Sequence, residues 1–163
     1  MEKNTLLKTS ALPLFSKMKK KDMFPAIKYL VDENKSIIKK IENLKAPTWN
    51  NLVYKLEESD DKISKAWAPI RHLNSVMNDK EIRAQYEKSL NLLTSHYGKI
   101  GQNKKLFSQY EKLYEQNRKN LTQSQNKLLE NVLRGFRLSG VHLNVKKRKL
   151  FRECQEKLAK LES

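Results

Sequence analysis

Cysteine is close to absent from these 163 residues: Cys154 alone excludes an intramolecular disulfide and fits a reducing compartment. Glycine and proline are scarce too, four of each. With 38% apolar residues arranged in long periodic segments, the chain reads as folded and helical rather than disordered. No run approaches the roughly 18 apolar residues needed to span a bilayer. In the opening stretch Met1 to Lys8, charged and polar residues interrupt every short apolar run, so no signal-peptide core forms and the expected location is the cytoplasm. No low-complexity segment or internal repeat is present.

Acidic residues are also in short supply, 18 against 34 basic ones, for a formal charge of +16. Such a charge favours acidic partners and raises nonspecific attraction to nucleic acid or a membrane surface. The excess is mostly Lys, and Asn is plentiful, which also fits an A+T-rich coding sequence. Because the lysines are distributed over nearly every helix, nucleic-acid binding ranks below the other readings.

What is present is helical periodicity. Residues 1–21 lack a period and are expected as an extended N-terminal arm, with Leu12, Leu14 and Phe15 packing on the body. A helical domain over 22–163 follows, expected as an all-α, antiparallel bundle of about six helices. Asp22 is positioned to cap a first helix over about 22–45, whose face is Met23, Ile27, Leu30, Val31, Ile38, Ile41 and Leu44. Thr48 caps a second helix with Leu52, Val53, Leu56, Ile63, Trp67 and Ile70. Pro69 lies inside it, and the missing amide proton should bend the helix away from Lys65. Asn78 and Glu81 have capping-box spacing for a third helix, with Ile82, Tyr86, Leu90, Leu93 and Tyr97, ending between Gly98 and Gly101. A fourth begins near Asn103, with Leu106, Phe107, Tyr110, Leu113 and Tyr114. Thr122 and Gln125 form a capping box for a fifth, which Gly140 stops. The last starts near Asn144, and Cys154 joins Phe151, Leu158 and Leu161 on its apolar stripe as core filler.

The chemistry-bearing residues form no self-sufficient catalytic set. His72, His96 and His142 are far apart, and none begins His-Glu-x-x-His, the spacing that puts two imidazoles on one side of a helix around zinc. Each reads as a hydrogen-bonded structural residue, with His72 beside the proline the one expected to be buried and paired. Glu57, Glu58, Asp60 and Asp61, flanking Ser59, read as a solvated face. Gly98 and Gly101 lack the Gly-Lys-Ser/Thr ending of a phosphate loop, and no Gly-x-Ser-x-Gly elbow is present. No catalytic or metal-binding residue is therefore assigned, and substrate-binding residues are not identifiable.

Collinear features do point to a family. His72-Leu73-Asn74-Ser75-Val76, Leu133-Arg134-Gly135-Phe136 and Leu138-Ser139-Gly140 resemble the N-terminal helical region of oligopeptidase A-like members of the thimet oligopeptidase/neurolysin family. Leu12-Pro13, Phe15, Phe24-Pro25-Ala26 and Thr48-Trp49 extend the likeness, which runs from about Asn4 to about Leu161. Gly135 departs from it, standing where relatives usually have an acidic residue.

The resemblance implies the channel-wall segment of a cytosolic zinc peptidase that cuts short peptides, with zinc and its ligands in a catalytic part not represented here. On this reading the chain is truncated and inactive alone. Its partner would be a separate C-terminal catalytic chain or a second copy. The rival reading is a basic helical module that binds nucleic acid or another polyanion through the lysine arm and the run Lys146-Lys147-Arg148-Lys149.

Overall fold

Helix starts in this chain are set by side chains that take the place of missing backbone acceptors. The computed structural model describes residues 4–8, 12–77 and 79–161. Its six α-helices are α1 (Met23–Ile41), α2 (Lys55–Val76), α3 (Lys80–Gly101), α4 (Lys104–Asn117), α5 (Gln123–Leu138) and α6 (Val145–Leu161), with no strand among the described residues. Thr48 and Thr122 each complete a reciprocal capping box, with Asn51 and Gln125 respectively. Asn103 accepts from the amides of Lys105 and Leu106, and Asn144 from that of Lys147.

Two expected caps differ. Asp22 makes no side-chain cap bond, because a 3-10 turn over Lys20–Asp22 already leads the backbone into α1. At α3 the cap is Asp79, whose carboxylate accepts from Glu81 and Ile82, one residue later than expected; Asn78 lies outside the described residues. Asp79 also pairs with Lys20, which ties the start of α3 to the turn before α1.

The helical run expected from Trp49 begins as wider π-helical turns over Trp49–Tyr54 and passes directly into α2. Pro69 is buried inside α2 and does not end it; the helix continues to Val76. At the end of α5 the Val141 amide donates to Phe136 and the Gly140 amide to Arg137, both through backbone carbonyls. Gly140 takes φ +82°, so this is a complete Schellman stop, with Val141 and Phe136 both in the core.

Two apolar cores result, and α1 belongs to both. Its first half puts Met23, Ala26, Ile27, Leu30 and Val31 against Ile63, Ala66 and Ile70 of α2 and Ile82 and Leu93 of α3. Its second half puts Ile38 and Ile41 with Leu52 and Val53, α4 (Leu106, Phe107, Tyr110, Leu113) and α5 (Leu129, Leu133, Phe136). Each fully buried Leu or Ile contributes about 1.5–3 kcal/mol from area alone. Gln109 closes the end of α1 by donating to the carbonyls of Glu42 and Leu44, so backbone groups beyond the last turn keep partners.

Within the N-terminal arm the chain makes 3-10 turns over Thr5–Leu7 and Phe15–Lys17. The residue it buries is Leu6, held where Asn4 donates to the Asp22 carbonyl and accepts from the Leu6 amide. Leu12, Leu14 and Phe15, expected to pack, are exposed. α6 differs from every other helix in burying none of its residues. Cys154 is accordingly exposed rather than core filler, since no element covers its side of α6.

Candidate functional site

Three helices each place a polar residue where the apolar period calls for a core residue. Asn34 continues Ile27, Leu30 and Val31 on α1; Ser59 lies between Leu56 and Ile63 on α2; His96 follows Leu93 on α3. All three are buried, and they meet. The Asn34 amide donates to Ser59 Oγ at 2.9 Å and to Asp60 Oδ1 at 3.0 Å. Its carbonyl oxygen lies 3.0 Å from His96 Nε2. With both amide protons directed at oxygens on α2, the Asn34 oxygen must accept, so His96 carries its proton on Nε2. The Tyr97 hydroxyl reaches Asp60 from the other side at 3.5 Å.

The electrostatics follow from burial. Loss of water pushes Asp60 up to about 6, Glu57 adds to the rise, and the bonds from Asn34 and Tyr97 oppose it. Loss of water also pushes His96 down to about 4, with Lys35 and Lys99 lowering it further and Asp32 working the other way. Burial and the neighbouring Asp60 carboxyl raise the Tyr97 hydroxyl above its ordinary value. At neutral pH the imidazole is therefore uncharged and Asp60 is ionised.

Serine, histidine and aspartate are all here, but the connections exclude a nucleophilic triad. Asn34 stands between His96 and both other groups, so no base contacts the Ser59 hydroxyl and no carboxylate contacts the imidazole. What the arrangement does is fasten α1, α2 and α3 in one register, aided by Trp67 of α2 stacked on Tyr86 of α3 at 5.0 Å.

His96 also lines a cleft of about 520 Å³ between α1 and α3. Lys35, Lys39 and Lys99 share that cleft with Asp32 and Glu42, so its charges largely compensate. Lys35 pairs with Asp32 at 2.9 Å, and Glu42 accepts from Asn103 at 2.6 Å.

The structure does not bring the sequence-derived candidates together. His72, expected to be buried, is exposed, with the Phe15 ring 5.5 Å away. The buried, paired histidine is His96, because it falls on the inward face of α3 while His72 lies on the outer side of α2. His142 is exposed and meets Phe107 edge-on at 5.2 Å. The acidic run is not wholly solvated either: its helix turns Ser59 and Asp60 inward. Among the described residues no three His, Cys, Asp or Glu side chains converge to hold a metal ion. The donor chemistry agrees, since His96 Nε2 is bonded to Asn34 and the other two imidazoles lie on separate elements. The residues present do not fit a zinc site.

With this all-helical architecture in view, comparison with known proteins is decisive. Residues 27–148 match the family model of the neurolysin/thimet oligopeptidase N-terminal domain. The chain belongs to that family. It is 36% identical to oligopeptidase A of Haemophilus influenzae, over 98% of this chain and 24% of the relative. It is 34% identical to oligopeptidase A of Escherichia coli, over 97% of this chain and 24% of the relative. A probable cytosolic oligopeptidase A of Arabidopsis thaliana is 27% identical over 99% of this chain and 23% of its own length. This member of the neurolysin/thimet oligopeptidase family thus spans about a quarter of the length of the curated relatives it matches. The collinear likeness read from His72-Leu73-Asn74, Leu133-Arg134 and Leu138-Ser139-Gly140 holds across the chain.

Proposed function

We propose that this chain is the N-terminal wall of the substrate channel of an oligopeptidase A-like zinc peptidase, a scaffold that shapes access for short peptides and performs no chemistry alone. One observation carries the reading: nearly every residue aligns with oligopeptidase A, yet the alignment occupies about a quarter of that enzyme. The polar tie among Asn34, Ser59, Asp60 and His96 supports it, because a wall must keep its helices in register while unfolded peptides pass. Zinc and the groups that activate water would come from a catalytic part, on a separate chain or a longer polypeptide. The cytoplasm is the compartment we assign, and no described helix is long and apolar enough to cross a membrane.

Two measurements test this. Elemental analysis of the isolated chain should find no stoichiometric zinc, and a quenched fluorescent peptide should remain uncut. Grafting the chain onto the Haemophilus influenzae enzyme in place of its matching first quarter should give an active chimera. Zinc-dependent cleavage by the isolated chain, or a folded chimera unable to cut, would refute the proposal.

A further inference from the structure

α6 is attached to the protein by polar contacts and leaves its apolar stripe open. The side facing α3 presents Arg148, Arg152, Gln155 and Ala159. Buried Gln102, just beyond α3, donates to the Arg148 carbonyl at 3.2 Å and accepts from the guanidinium groups of both arginines. Away from α3, Leu150, Cys154, Leu158 and Leu161 recur at spacings that place them on one stripe. The leucines are 54%, 55% and 85% exposed. Beside Leu158 a hollow of about 380 Å³, lined by Tyr97, Gly98 and Ala159 among others, offers a socket for one large apolar side chain.

Charge selects the occupant. Basic residues run along α6 from Lys146 to Lys160, and its acids are Glu153 and Glu156. Glu153 already lies 3.9 Å from Lys149. Two copies packed stripe to stripe would set lysines against lysines in a protein of charge +16. We propose that the outer face of α6 docks an amphipathic helix of another polypeptide, apolar along one stripe and acidic on its flanks. The partner's apolar knobs seat on Leu150, Leu158 and Leu161, one of them entering the socket beside Tyr97, while its carboxylates meet the α6 lysines. This inference stands whether or not the peptidase reading does.

The test uses the full chain and three fluorescent helical peptides of about five turns. One has a leucine stripe with glutamate flanks, one the same stripe with lysine flanks, and one the glutamates with its leucines scattered. Fluorescence anisotropy should show the first binding at least about tenfold more tightly than either other. Leu158→Glu and Leu150→Glu should each weaken it by a similar factor. Val145→Glu, on the other side of α6, should leave it unchanged, and all three variants should keep the parent's circular dichroism. Equal binding of the scattered peptide would overturn the proposal, since charge alone would then suffice. So would a dimer in sedimentation that Leu158→Glu dissolves. Leu158-dependent binding to phosphatidylglycerol vesicles without peptide binding would reassign the face to lipid and overturn it as well.

Discussion

α1 and α6 have similar sequence patterns and opposite fates. Both are amphipathic helices, of 19 and 17 residues, rich in lysine on one side and aliphatic on the other. α1 is central to both cores and buries eight residues; α6 buries none. The contrast shows that a 3.6-residue period specifies an apolar face but not the element that will cover it. For α1 the covering elements are α2 to α5. For α6 only the α3 side is occupied, and a hydrogen-bonded clamp around Gln102 does the holding.

The sharpest way to probe the difference is truncation at matched positions. Ile27→Ala, at a fully buried site of α1, should cost about 2–5 kcal/mol in urea denaturation, for lost transfer energy plus the cavity left behind. Leu158→Ala on α6 should fall within about 0.5 kcal/mol of the parent. Comparable losses at the two sites would mean that α6 is covered after all.

Next in size is the polar position on α1. Asn34→Ala leaves Ser59, Asp60 and His96 without their common partner in a buried setting, and should cost about 1–3 kcal/mol. No polar position on α6 should approach this value in the same denaturation series.

The same tie has a pH signature. His96, lowered from 6.5 to about 4, binds its proton more readily when unfolded, so its contribution to stability is lost as pH falls through that interval. Asp60, raised from 3.8 to about 6, binds its proton more readily when folded, so acidification between those values stabilises the fold. The two effects oppose each other over nearly the same window. Asp60→Asn should therefore be more stable than the parent at pH 7, with the advantage fading toward pH 4. His96→Gln should gain on the parent as pH falls. Denaturation midpoints at several pH values would read both signs, and identical pH profiles for all three proteins would refute the account.

A smaller change concerns α5. A Cβ added at Gly135 would meet no atom within 4 Å, so Gly135→Ala should stabilise by about 1 kcal/mol through helix propensity alone. A thermal melt would detect it. Gly101 is the counter-case: there a Cβ would lie 2.7 Å from the Ser139 side chain, and alanine should destabilise.

Much of the fold was legible because its signals are local. Thr48, Asn103, Thr122 and Gly140 mark helix ends through bonds to residues within a few positions, and all four act as expected. The family likeness was legible for the same reason, resting on short runs such as His72-Leu73-Asn74 and Leu138-Ser139-Gly140. Asn34 was missed although its signal is plain: an amide in step with Val31 and Ile38 on an apolar face needs buried partners. Its partners, Ser59 and His96, are separated from it by 25 and 62 positions, so their meeting depends on how three helices dock. His72 and Cys154 went the other way, since adjacency to a proline or membership of an apolar stripe says nothing about which side a neighbour occupies.

The order of residues alone determined six helices, most of their ends, the absence of a local zinc motif and membership of a peptidase family. Docking decided which histidine loses its water, which carboxylate turns inward, and which apolar stripe remains open. Caps and periodicity act through neighbours in the chain, whereas burial is a property of pairs of surfaces and exists only once helices have chosen their partners.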